Sequence, residues 1–124
     1  MIVGLHHAQV TIPKGAEDEA RAFFCGSLGL REIPKPEVLR VRGGFWLECG
    51  ALQLHVGTED GVARERTKAH LAFEVDDLAA TRALVERLGL PVLDGEPIPG
   101  LVRFECRDPF GNRIEFVERT RRTP

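Results

Sequence analysis

The sequence predicts an α+β protein built from two copies of a βαβββ module, and three observations predict it. The stretch HAQVTI starting at His7 reads like HLAFEV starting at His70. Each is an alternating strand followed by an amphipathic helix that stops at a Gly-Leu pair, Gly29-Leu30 and Gly89-Leu90. After each pair comes a Pro-containing extended stretch and then two further strands. At 124 residues the chain suits one compact domain and is too short for two ordinary domains with a linker. A single domain over residues 1–124 is therefore expected, with module one at about 4–57 and module two at about 68–119.

In module one the helix is expected over 16–28, with Ala20, Phe23 and Phe24 on its apolar side, and strands over 44–48 and 52–56. In module two the helix is expected over 78–88, with Leu84, Val85 and Leu88 apolar, and strands over 101–106 and 113–117. Gly29 and Gly89 sit where a left-handed helix cap is needed, and Asp76 or Asp77 is suited to cap the start of the second helix. Gly50-Ala51 can close a tight hairpin, whereas Asp108 to Asn112 makes a longer turn. The polar stretch 55–67 is expected to link the modules as an exposed crossover.

Composition narrows the function. A net charge of -2 offers no broad positive field for nucleic acid or anionic membrane. No apolar run approaches the length of a membrane-spanning helix, and no cleavable leader is visible, so a cytoplasmic protein is expected. Cys25, Cys49 and Cys106 are odd in number and far apart, which suggests buried thiols instead of a disulfide framework or thiolate zinc site.

Strand alternation assigns faces. With Ala8, Val10, Ile12 and Leu71, Phe73, Val75 turned toward the helices, the other face carries His7, Gln9 and Thr11 in one copy and His70, Ala72 and Glu74 in the other. His6 falls on the opposite side from His7. In the last strand of each copy Gln53 and Glu115 face away from the helices. The spacings agree, 53 − 7 = 46 and 115 − 70 = 45. With helices outside, the two modules are expected to form a curved, partly open mixed sheet around a shared metal-binding cleft. Two imidazoles, a carboxylate and an amide oxygen form a mixed N/O set suited to one divalent ion such as Fe, Mn, Ni, Co or Zn, whereas calcium would call for more oxygens.

These features resemble the vicinal oxygen chelate superfamily, which unites glyoxalases, bleomycin-resistance proteins and dioxygenases. LHHAQVTI, AHLAFEVDDL and RDPFGNRIEF carry the resemblance, and the last is the most specific. It implies metal ligands on the first and last strands of each module, here His7, Gln53, His70 and Glu115. Such a set is similar to that of methylmalonyl-CoA epimerase and glyoxalase I, and its His, His, Glu subset to that of fosfomycin-resistance enzymes and extradiol dioxygenases. The resemblance further implies a small substrate with vicinal oxygens, lyase, isomerase, epimerase or dioxygenase chemistry, and a homodimer. The alternative is a metal-free protein that sequesters a drug or metabolite.

Individual positions sharpen the picture. His55, two residues from Gln53 and on its face, is an alternative fourth ligand and otherwise lines the substrate site with Gln9 and Trp46. A two-residue turn at Gly50-Ala51 pairs Glu48 with Gln53 and Trp46 with His55. Glu48 then becomes a candidate general base, with Glu115 the other catalytic carboxylate. Arg103 is a candidate grip for a substrate carboxylate, and Cys106, on the other face of its strand, belongs to the core.

Overall fold

The computed structural model describes residues 1–120. The chain divides into two compact units, Met1–Val62 and Ala63 onward, and each holds one βαβββ module with a four-stranded mixed sheet.

In the first unit the strands are β1 (His7–Ile12), β2 (Arg31–Ile33), β3 (Phe45–Cys49) and β4 (Leu52–Thr58), in the order β1-β4-β3-β2. β1 runs parallel to β4, and the other pairs are antiparallel. The helix begins as α1 (Glu17–Arg21) but widens into a π-helical segment, Ala22–Ser27, which periodicity alone does not foresee. Glu17, Asp18 and Glu19 suit the positive end of the helix dipole. Ile12, Ala20, Phe23, Phe24, Phe45, Leu47, Leu54 and Val56 are buried. Of the residues expected on the helix side, Ile12, Ala20, Phe23 and Phe24 belong to this set, whereas Ala8 and Val10 are half-buried.

The β3–β4 hairpin turns at Gly50-Ala51 with Gly50 at φ 59°, and the register places Trp46 opposite His55 and Glu48 opposite Gln53. Between β2 and β3 the stretch expected to be merely extended contains a short helix, α2 (Glu37–Arg40), entered from Pro36. Four residues are too few to show a helical period. The connection ends at Gly44, where a Cβ would stand 2.1 Å from the carbonyl oxygen of Val56, so only glycine lets the chain pass this close to β4.

The second unit holds β5 (His70–Glu74), α3 (Leu78–Arg87), β6 (Val92–Asp94), β7 (Leu101–Arg107) and β8 (Arg113–Arg119), in the sheet order β5-β8-β7-β6. Asp77 is the N-cap of α3, accepting from the Ala80 N–H at 3.0 Å, and Gly89 ends it at φ 76°. Glu118 Oε1 accepts from the Leu78 N–H at 2.7 Å, tying the helix start to β8. Val85, Phe104, Cys106, Ile114 and Phe116 are buried. The crossover differs from the expectation in two respects. β4 continues to Thr58, and a 3-10 turn, Arg64–Arg66, buries Arg64 to 5 % exposure instead of leaving the whole segment in solvent.

Cys25, Cys49 and Cys106 are free thiols. Burial pushes Cys106 up to about 12, with nearby Asp108 adding to the effect. Iodoacetamide at pH 8 is therefore expected to leave Cys106 unmodified in the folded protein and to alkylate it only in denaturant. Peptide mass spectrometry checks this, and modification of Cys106 in the native state would contradict its burial.

Candidate functional site

In module one the site residues stand on neighbouring strands. The parallel β1–β4 register sets His7 opposite Gln53 and Gln9 opposite His55, and β3 adds Trp46 opposite His55. Three rings form a column. Trp46 stacks on His55 with centroids 4.0 Å apart and planes 1° apart, and His55 stacks on His7 at 4.1 Å and 16°. His55 is 6 % exposed, and its Nε2 lies 2.9 Å from Gln53 Oε1, so the imidazole donates to the amide oxygen. Burial, followed by the neighbouring charges of His7, His6 and Lys35, pushes the His55 imidazole below its ordinary value.

A cavity of about 530 Å³ opens over this column. His6, His7, Gln9, Trp46 and His55 line it, joined by Lys35 and Arg42 from the β2–β3 connection. Gln9, Trp46 and His55 were nominated for substrate contact from sequence, and all three meet here. The Gln9 amide lies over Gly57, where a Cβ would stand 3.1 Å from its Cδ. Strand alternation places His6 opposite His7, but β1 begins only at His7, so alternation does not govern His6. Its Nδ1 lies 3.0 Å from that of His7, and both rings border the same cavity. Lys35 and Arg42 escaped the sequence reading because they sit on an irregular connection with no periodic signal.

Glu48 faces the same way as Gln53 but does not border the cavity. Arg31, opposite it on β2, donates Nε at 2.8 Å and Nη2 at 2.5 Å, both to Oε2. This ion pair was not anticipated from sequence.

In module two His70 and Glu115 meet directly, with Nε2 and Oε2 3.2 Å apart. His70 Nδ1 lies 2.9 Å from the Lys68 carbonyl oxygen. A carbonyl only accepts, so Nδ1 donates and Nε2 is the nitrogen that meets the carboxylate oxygen. A proton on Nε2 or a cation between the two atoms completes the contact, and a nitrogen and a carboxylate oxygen form a donor pair that a divalent ion accepts. Glu115 is 6 % exposed, and its other oxygen, Oε1, accepts from Arg103 Nη1 at 2.9 Å. Arg103 also donates Nε to the Glu96 carbonyl at 3.0 Å and packs over Gly95. The arginine nominated as a substrate grip is thus engaged with Glu115.

The registers revise one equivalence. His7 stands opposite Gln53, but His70 stands opposite Arg113, and Glu115 stands opposite Ala72 and Glu105. The module-one position that corresponds to Glu115 is therefore His55, opposite Gln9 and Trp46. Near-equal residue counts had pointed to Gln53. Among the described residues no three His, Cys, Asp or Glu side chains converge to hold a metal ion.

Two βαβββ modules, each presenting paired donors on its first and last strands, define a protein of the vicinal-oxygen-chelate type. The model of the Glyoxalase/Bleomycin resistance protein/Dioxygenase superfamily matches residues 4–116, and the chain belongs to this superfamily. Among solved structures it is similar to a glyoxalase-family protein of Bacillus anthracis, at 42 % identity over 97 % of this chain and 98 % of the other, with a TM-score of 0.87. Two more distant structures share the fold. One is the fosfomycin resistance protein FosX of Listeria monocytogenes, complexed with Mn(II) and sulfate, at 18 % identity over 97 % and 93 % of the two chains and a TM-score of 0.79. The other is a lactoylglutathione lyase of Agrobacterium tumefaciens, at 23 % identity over 93 % and 92 % and a TM-score of 0.68. No curated protein matches the chain. Among the described residues no helix is long and apolar enough to cross a membrane.

Proposed function

We propose that this protein is a divalent-metal-dependent enzyme acting on a small substrate with vicinal oxygens, by lyase, isomerase or oxygenase chemistry. The observation that carries the reading is the His70–Glu115 pair, whose nitrogen and carboxylate oxygen, 3.2 Å apart, suit a cation. His7, His70 and Glu115 are the proposed ligands. The fourth position falls to Gln53 or His55, and the register favours His55 as the counterpart of Glu115, with the Gln53 amide orienting it. When bound, the ion supplies Lewis-acid stabilisation of charge developing on a substrate oxygen. Four ligands carrying a single negative charge leave that ion net positive, which favours an anionic oxygen.

Both Arg31 bonds go to Glu48 Oε2 and Glu48 stands outside the cavity lining, so the general-base role expected of it is not part of this proposal. Arg103 fixes the Glu115 carboxylate with Oε2 presented toward His70. Arg103→Met is therefore expected to weaken metal binding about tenfold while Arg103→Lys retains part of it. Calorimetric titration of both variants checks this, and wild-type affinity in the Met variant would remove Arg103 from the site.

The function is tested by elemental analysis of protein purified without added metal and again after reloading. About one divalent ion per chain is expected. A wild-type protein that is metal-free and cannot be loaded would overturn the proposal. Oxygen consumption by the iron-loaded protein then separates oxygenase from isomerase chemistry.

A further inference from the structure

The two modules differ most in the connection between their second and third strands. In module two it covers only 95–100, whereas in module one it covers 34–44 and carries α2. That longer excursion is pinned at both ends. Lys35 Nζ donates to the carbonyl of Gly43, and the Arg42 carbonyl accepts from Thr58 Oγ1 at 3.1 Å. The backbone of Arg42 is thereby fixed while the residue remains exposed.

This pinning sets two permanent cations on the rim of the 530 Å³ cavity, with the Trp46–His55–His7 column forming a flat aromatic wall. No aspartate or glutamate lines the cavity. Glu37, on α2 itself, and Glu17, whose Oε2 accepts from the Gly44 N–H at 3.4 Å, both stay outside the lining. Lys35 has three donors and spends one on Gly43, so two remain. A volume of this size exceeds what an inorganic anion needs and suits a small organic molecule.

We propose that the module-one cavity is the substrate pocket and that it takes a small organic anion, its carboxylate, phosphate or phosphonate group paired with Lys35 and Arg42 and its planar or apolar part against the Trp46–His55–His7 column. The guanidinium supplies a two-pronged donor fork and the ammonium a point charge, which together suit an oxyanion group. The assignment as a substrate pocket rests on the proposed function, because His7 lines the cavity and is one of the proposed metal ligands. The anion specificity rests on the cavity alone.

Trp46 is the only tryptophan and the chain has no tyrosine, so its emission reports on this wall without background. Phenylphosphonate, benzoate and uncharged benzyl alcohol are titrated against Trp46 fluorescence, in chelator and with zinc-loaded protein, using wild type, Lys35→Met and Arg42→Met. Both anions are expected to bind in chelator at least about tenfold more tightly than benzyl alcohol, and each substitution to weaken them about fivefold or more. The stronger of the two anions identifies a carboxylate or a phosphonate-like group as the better partner. Arg42 is exposed, so Arg42→Met keeps the test sound even where loss of the Lys35–Gly43 bond loosens the excursion. Equal binding of benzyl alcohol, or anion binding unchanged in both variants, overturns the proposal. Binding seen only with zinc and insensitive to both substitutions also overturns it, since the ion then holds the anion, and that outcome leaves the metal proposal standing. Retained anion binding in a protein that takes up no zinc separates failure of the metal reading from failure of this one.

Discussion

His70→Ala is expected to lower divalent-metal affinity by about two orders of magnitude, near 3 kcal/mol. His70 supplies a nitrogen fixed in place, because its Nδ1 is hydrogen-bonded to the Lys68 carbonyl and its Nε2 faces Glu115. Alanine removes the donor and the orienting bond together. The fold should survive, since His70 begins the edge strand β5 and its side chain is 32 % exposed, outside the buried set of module two. Glu115 keeps Arg103 as a partner, so the substitution does not strand a buried charge. Calorimetric titration with manganese or zinc measures the loss, and a thermal melt confirms the fold. An affinity unchanged from wild type would remove His70 from the ligand set.

Asp108→Ala is expected to cost about 3 kcal/mol of stability. Asp108 is 3 % exposed and organises the β7–β8 turn, accepting from the Phe110 N–H at 2.9 Å, the Asn112 N–H at 2.8 Å and Asn112 Nδ2 at 2.8 Å. Alanine leaves two backbone donors and one side-chain donor without their acceptor in a part-buried turn. Asp108→Asn keeps an acceptor and should lose less than half as much. Burial pushes the Asp108 carboxyl above its ordinary range, against the opposing pull of its donors. A folded value above the unfolded one contributes stability that is full below the unfolded value and is lost as pH rises through the folded value. Urea unfolding of wild type and Asp108→Asn from acid to neutral pH should therefore show a flatter profile for the asparagine variant. A loss below about 1 kcal/mol for Asp108→Ala would show that the backbone bonds of the turn suffice.

Most of the fold was legible because its determinants are local. The alternation of HAQVTI and HLAFEV, the left-handed glycines at 29 and 89, the cap at Asp77 and the two-residue turn at Gly50-Ala51 each act within a few residues. The Trp46–His55 and Glu48–Gln53 pairings follow from that turn alone. What escaped depends on relations that spacing does not encode. Counting matched Gln53 to Glu115, yet the connection 34–44 is about five residues longer than 95–100 and the turn 50–51 about three shorter than 108–112, so near-equal counts do not mark equivalent positions in the two registers. Arg103 was recognised as a charge near the site, but its bond to Glu115 spans two strands. Arg31 meets Glu48 for the same reason.

The π-helical segment at Ala22–Ser27 bears on how the first module fits more residues between its first strand and its helix cap. From the strand histidine to the capping glycine, the first module spans 29 − 7 = 22 positions and the second 89 − 70 = 19. A widened turn holds more residues than an α-helical turn before the chain returns to the same face. Part of the surplus is therefore stored inside the helix, where it keeps the consecutive Phe23 and Phe24 both in the core. The first module thus holds a longer stretch between strand and cap than the second while both phenylalanines stay buried.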